Sequence, residues 1–270
     1  MANLQVNQQH AHVAPPPESL QNCRNCDASV TGPYCQSCGQ RHESLLHPFR
    51  QLLGEVVSTV LNLDARFYQT FKMLAKPGRL TTAYLNGQRV RFITPIRLYL
   101  SFSIIYFALT TWLNVSDFLF FNIGDDAEEL DGLVQALPRA MFALVPAFAL
   151  LMKGLYRKPL YAAHLVFSLH VHALWFIVFS IVLVMNATTT YVHGITNWSW
   201  IALITKGVDF IEEWSVFIYL YLAMHYVYKS SWIMTFVKMI LLLLGYVTVL
   251  TLILLAYLFV TMGPNFLNEL

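Results

Sequence analysis

Two stretches of this sequence stay apolar for longer than the core of a water-soluble protein can use. Residues 160–187 contain no Asp, Glu, Lys or Arg, and residues 236–262 contain only Lys238. The hydrocarbon core of a bilayer is about 30 Å thick and takes about 20 apolar residues per helix. Each stretch is long enough to cross it. Composition points the same way: 57% of residues are hydrophobic and 12% charged, where soluble domains carry about 25% charged residues. A soluble chain of 270 residues could not cover its surface with so few charges. The fold class that follows is an all-α integral membrane protein.

Three shorter runs, at about 95–115, 134–152 and 208–228, bring the expected number of transmembrane helices to about five. The first opens on Thr94-Pro95, a cap residue before a proline at a tolerated position. The second is the weakest, because it carries Pro138, Arg139 and Pro146. Between the third and fourth spans, Trp198 and Trp200 mark an interfacial segment rather than a sixth crossing. No internal repeat is visible, which argues against an inverted-repeat transporter. Orientation comes from charge. With the N-terminus and the turns at 153–159 and 229–235 in the cytoplasm, every Lys and Arg except Arg139 and Lys206 falls on that side, fifteen of seventeen. The first outer loop holds Asp117, Asp125, Asp126, Glu128, Glu129 and Asp131. This positive-inside pattern places the chain in the inner (cytoplasmic) membrane with its C-terminus outside, and it requires residues 134–152 to cross. Residues 1–20 lack the basic start and apolar run of a cleaved signal peptide, so the first span is expected to direct insertion.

Ahead of the spans the chain divides into three parts. Residues 1–20 read as a disordered arm around Pro15-Pro16-Pro17. Residues 21–42 hold all four cysteines. Residues 43–93 are amphipathic: Phe49, Leu52, Leu53, Val56, Val57, Val60, Phe67, Phe71 and Leu74 recur at helical spacing from Pro48 to the break at Pro77-Gly78. A second short helix is expected from Arg79 to Asn86, stopping at Gly87. The long helix could lie in the headgroup region, with Arg79, Arg89, Arg91 and Arg97 near anionic lipid. Equally, it could pack on the cytoplasmic face of the bundle formed by residues 94–270.

Cys23-x-x-Cys26 and Cys35-x-x-Cys38 are two short loops eight residues apart. Each loop lets two thiolates face one centre, and two such loops complete a tetrahedral sulfur shell. Soft thiolates could also hold iron; in a reducing cytoplasm, structural Zn²⁺ is the expected ion. A four-thiolate shell leaves no open coordination position, so the site is structural, and metal binding supplies the folding energy that so small a segment lacks. The run NCRNCDASVTGPYCQSCGQ resembles the N-terminus of an uncharacterised bacterial membrane family, domain-of-unknown-function family 3667. The likeness continues through Asp64, Arg66, Thr70, Pro77-Gly78, Tyr84, Gly87, Arg89 and Pro95, and into HLVFSLHVHALWF at His164 to Phe176. The resemblance implies a membrane protein with a zinc ribbon and brings no known reaction or catalytic residue. One departure is Asp27, where ribbon knuckles prefer glycine.

Ionisable residues inside spans are costly and therefore candidate functional groups. A polar intramembrane site could draw on His164, His172, His225, Glu212 and Glu213. His164 lies about 6 Å in from Leu160, and His225 a similar distance in from Lys229, at about 1.5 Å per residue. At about 100° per residue, His164, His170 and His172 share no single face, which excludes a three-histidine metal site on this helix alone. Neutral histidines bonded to neighbouring helices are the commoner arrangement, and Asp209, Glu212 and Glu213 could simply be solvated at the outer boundary. No P-loop, dinucleotide, nucleophile-elbow or H-E-x-x-H motif is present, so no catalytic residue is assigned. The Arg89-x-Arg91 pair is accounted for by topology and lipid, which disfavours nucleic acid. The favoured function is non-enzymatic docking or regulation, with a protein partner at the ribbon. The alternative is a small transporter or membrane-embedded enzyme that uses the intramembrane histidines and carboxylates.

Overall fold

The computed structural model describes residues 21–40, 65–113, 131–196 and 198–262. The chain divides into two units, Met1–Leu46 and His47–Leu270. The first is a small β-hairpin. Strands β1 (Gln21–Asn22) and β2 (Ser29–Val30) pair antiparallel, with Gln21 opposite Val30 and Asn22 opposite Ser29. Among its described residues the buried centre is Cys23, Val30 and Cys35. Three side chains are far too little apolar surface to offset the ordering of twenty residues.

The second unit is helical. Its described elements are α1 (Ala65–Leu74), α2 (Arg79–Leu85), α3 (Pro95–Trp112), α4 (Asp131–Leu155), α5 (Tyr161–Thr196), α6 (Ser199–Tyr228) and α7 (Trp232–Met262). Among the described residues, two helical stretches are both long and apolar enough to cross a membrane, Tyr161–Thr196 and Trp232–Tyr257. Each of the other three long helices carries features that weaken it. The 18 residues of α3 include Arg97 in the first turn. Helix α4 carries Pro138, Arg139 and Pro146, and among its described side chains the apolar stretch is Ala140–Leu155. The N-terminal half of α6 contains Lys206, Asp209, Glu212 and Glu213.

The helices pack around α5. Its residues Phe167, Val171, Ala173 and Phe176 are buried together with Leu98 and Tyr106 of α3, Leu144 and Phe148 of α4, and Leu220 and Met224 of α6. Polar side chains on α5 tie it to four other helices. His164 Nδ1 lies 2.8 Å from the Tyr228 hydroxyl of α6. Ser168 Oγ donates to the Val145 carbonyl of α4 at 2.9 Å. His170 Nδ1 lies 2.9 Å from Thr81 Oγ1 of α2, and His172 Nε2 lies 3.0 Å from the Tyr246 hydroxyl of α7.

Among the described residues, positions 188–196 and 199–207 belong to the two long helices. Helix α5 runs unbroken to Thr196, and α6 begins at Ser199. Threonine-rich sequence argues against helix, but here the hydroxyls bond back to the preceding turn: Thr188 Oγ1 donates to Val184 O at 2.7 Å and Thr196 Oγ1 to Val192 O at 2.8 Å. These bonds satisfy the hydroxyls inside the helix.

Of the amphipathic segment, residues 48–64 lie outside the described residues, and residues 65–92 pack against the bundle. Phe67 and Phe71 of α1 meet Phe102 of α3 at 6.4 and 5.3 Å between ring centroids. The buried Thr70 hydroxyl accepts the Ile93 N–H at 3.0 Å and donates to the Arg66 carbonyl at 2.7 Å. Where α1 ends, the Tyr219 hydroxyl donates to the Leu74 carbonyl at 2.7 Å. Gly78 then turns the chain with φ 73°, pressed on α6 so closely that a Cβ would stand 3.0 Å from the Ala223 carbonyl oxygen. Helix α2 stops at Leu85, with Asn86 as its C-cap and Gly87 at φ 100°. His170 stands six residues beyond His164, so the Thr81 contact sits about 9 Å further along α5 than the His164–Tyr228 contact. Residues 65–92 therefore form a wedge let into the bundle between α5 and α6.

Gly78 is the point where this wedge is most exposed to a single change. Gly78→Ala adds left-handed strain to a clash with backbone and should cost about 2 kcal/mol. Gly154→Ala, in α4 with nothing within 4 Å of the added methyl, should leave stability level or raise it by about 0.5 kcal/mol. Thermal unfolding of both variants in detergent micelles checks the difference.

Candidate metal centre

The hairpin unit exists to present its four cysteines. The two loops are built alike. After Cys23 the chain turns so that Asp27 N–H donates to the Cys23 carbonyl at 2.8 Å; after Cys35 it turns so that Gly39 N–H donates to the Cys35 carbonyl at 2.8 Å. Each turn closes on a residue in the left-handed region, Asp27 at φ 59° and Gly39 at φ 71°. The position where the sequence departs from glycine is thus one that needs positive φ, and aspartate is among the few other residues that adopt it readily.

All four Sγ atoms lie within 4.8 Å of one another. The closest pairs, Cys23 with Cys38 and Cys26 with Cys35, are 3.6 Å apart. A disulfide would need about 2.05 Å. A tetrahedral shell with metal–sulfur bonds of about 2.3 Å puts its sulfurs about 3.8 Å apart. The spacing fits four thiolates around one ion and fits no covalent pairing, so all four cysteines are free thiols.

Packing four thiols this closely spreads their acidities. Against the desolvation that would raise it, the backbone N–H of Gln40, the Asn25 side chain and the Cys26 and Cys23 thiols bring Cys38 down to about 7. The Ala28 backbone N–H lowers Cys26, but desolvation and the thiols of Cys38, Cys35 and Cys23 push it up to about 12. A first thiolate forms readily and a last one is resisted by its neighbours. A bound cation removes that resistance, since metal binding requires and stabilises the deprotonated form. Cys23 and Cys35 are buried, whereas Cys26 is exposed and Cys38 half-buried, so an ion would enter from the side of Cys26 and Cys38.

The intramembrane candidates fall out differently. His164, His170 and His172 point to α6, α2 and α7 respectively, as their separate hydrogen bonds show. His172 Nδ1 is also 2.8 Å from the Ser168 carbonyl oxygen. His225 stacks on Trp232, with ring centroids 3.7 Å apart. The side chains of Asp209, Glu212 and Glu213 lie outside the described residues. Among the described residues, the cysteines are the one group of three or more His, Cys, Asp or Glu drawn close enough to hold a metal. Helical spacing correctly separated the three histidines, but no pattern in the sequence pointed to Thr81, Tyr228 or Tyr246 as their partners. Those contacts join residues 64 to 89 positions apart.

Residues 64–107 match the model of a family described as Protein of unknown function (DUF3667). No curated protein and no solved structure matches the chain. The matched stretch covers the wedge and most of α3, including Thr70, Gly78 and Thr81. Over these residues the chain resembles that family; the four cysteines lie outside the match and rest on their own geometry.

The parallel between the two loops can be tested on their left-handed residues. Asp27→Gly should preserve or tighten metal binding. Gly39→Ala should weaken it about fivefold to thirtyfold, the equivalent of about 1–2 kcal/mol of left-handed strain. Cobalt titration followed through the thiolate charge-transfer bands measures both.

Proposed function

We propose that the chain is a multi-pass protein of the cytoplasmic membrane with α3 to α7 as its five spans, and that its N-terminal unit is a structural zinc ribbon used for docking or regulation. The observation that carries this reading is the closed shell of four thiols within 4.8 Å. Four sulfurs leave a bound ion no position for substrate or water. Zinc suits the set because tetrahedral thiolate sites select it and it needs no redox partner. The separately bonded histidines support a bundle whose buried polar groups hold helices together. A transporter or an embedded enzyme would need them to converge. Arg79 and Arg89 already lie over the rings of Tyr226 and Tyr84, at 5.7 and 5.9 Å. Together with Arg91 and Arg97, they would set the wedge against anionic headgroups of the cytoplasmic leaflet.

Purified protein should carry close to one zinc per chain by elemental analysis, and Cys35→Ser should lose it. Because membrane helices satisfy their own backbone hydrogen bonds, that variant should still insert, with new protease cuts confined to residues before about Pro48. A partner that co-purifies with the wild type and is lost from the inserted Cys35→Ser variant would identify what the ribbon docks; equal recovery with both would remove the docking role.

Reporter fusions test the topology independently. Fusions after residues 157 and 232 should read as cytoplasmic, and after residues 130 and 200 as external. A cytoplasmic reading after residue 130 would sink the five-span arrangement.

A further inference from the structure

We propose that the turns between α4 and α5 and between α6 and α7 form one headgroup site for an anionic phospholipid of the cytoplasmic leaflet. This rests on the membrane reading above and names a ligand for a different part of the bundle from the wedge.

The two turns are joined by a ladder of rings. Tyr156, just after α4, stacks on Tyr228 at the end of α6, with centroids 4.0 Å apart and planes at 17°. Tyr228 stacks in turn on His164 at 5.5 Å, and the ammonium of Lys238 on α7 caps the other end, 3.9 Å from the Tyr156 centroid. The Tyr156 hydroxyl lies 3.4 Å from Ser230 Oγ, which lies 2.7 Å from Thr235 Oγ1. Within the first turn, Lys153 Nζ donates to the carbonyls of Arg157 and Pro159 at 2.6 and 2.8 Å. Lys153 and Lys238 thus fix the shape of the turns. Arg157, Lys158 and Lys229 stand exposed on them.

Two further observations turn this patch into a binding surface. The first is the lack of acid. The sequence has no Asp or Glu between Gly132 and Val208, nor between Trp214 and Asn268. Nothing on these segments neutralises the three exposed cations. The second is Lys229, which sits at φ 50°, the left-handed C-terminal position that glycine fills at no steric cost. A lysine there strains the backbone. Attraction to the helix C-terminus explains a cation near this position, but not its placement at the left-handed residue itself, where glycine would carry no strain. Exposed apolar side chains flank the cations: Leu160 at 75% and Ile233 at 80% accessibility, with Trp232 at 54%. Cations at headgroup level with bare aliphatic side chains beside them suit a phosphodiester that carries acyl chains. A free phosphate would use only the cations.

The test uses full-length protein in neutral detergent, with lipid binding counted by native mass spectrometry. Phosphatidylglycerol should bind at least about tenfold more tightly than phosphatidylcholine, and removing three cations (Arg157→Gln, Lys158→Gln, Lys229→Gln) should weaken it about a hundredfold. Lys229→Gly separates binding from folding: relieving the strain should hold or raise the melting temperature while weakening phosphatidylglycerol about fivefold. Lys206→Gln, on the other side of the bundle, should leave binding unchanged. Equal affinity for the two lipids, or wild-type affinity in the triple variant, overturns the proposal. Displacement of the lipid by glycerol phosphate at equal concentration overturns the assignment to a lipid. Recovery of the chain from the soluble fraction without detergent overturns the membrane reading itself and this site with it.

Discussion

Nine residues of α5, from His164 to His172, hold the polar connections on which the bundle depends. Apolar burial is non-directional, so directional bonds and close packing must choose the neighbours. Here His164, Ser168, His170 and His172 each select a different one: α6, α4, α2 and α7. At about 100° per residue, 164, 168 and 172 fall on one side of the helix at successive turns about 6 Å apart, while 170 faces away from them, so depth separates three of the bonds and direction separates the fourth. Aromatic side chains fill the space between. Phe148, Trp175 and Tyr246 ring His172 at 4.9 to 5.9 Å between centroids.

The wedge extends the same logic to backbone that is not in a long helix. Residues 75–94 include a tight turn and an irregular stretch, and irregular backbone inside a bundle needs partners for its polar groups. Tyr219 supplies one for the Leu74 carbonyl, and Thr70 supplies one for the Ile93 N–H. The wedge stands where α3 begins. At 18 residues, α3 is half the length of α5, and the wedge fills the space beside α5 that a longer α3 would have occupied.

The sequence was most legible where one residue type repeats a simple requirement. Apolar runs located the long helices and the two Cys-x-x-Cys pairs located the four-cysteine cluster; the aspartate after Cys26 read only as a departure from glycine, and the structure shows it in a left-handed turn at φ 59°. It was least legible where two distant segments meet. Helical geometry could say that His164, His170 and His172 diverge, but not that Thr81 waits for His170 on a seven-residue helix 89 positions earlier. The amphipathic pattern of residues 48–76 fits a membrane surface and a protein groove equally well. Only the contacts of Phe67, Phe71 and Leu74 decide for the groove, and then only for the part from Ala65 onward. Residues 188–196 show a local effect that composition hides: threonine hydroxyls bond back within the helix and let α5 run on to Thr196.

The position of the polar stretch along the chain sets an order of assembly. Helix α3 packs principally on α5, α4 packs on both α5 and α7, and α2 bonds to α5, yet all three leave the ribosome first. During synthesis they emerge with Thr81 and the groove side of α1 and α2 lacking their final partners. Once residues 164–172 emerge, the waiting helices can dock together, and α6 and α7 then close over the remaining side with Tyr228 and Tyr246. A chain stalled short of residue 164 would therefore hold separate helices that expose polar groups, the kind of intermediate that quality-control proteases recognise.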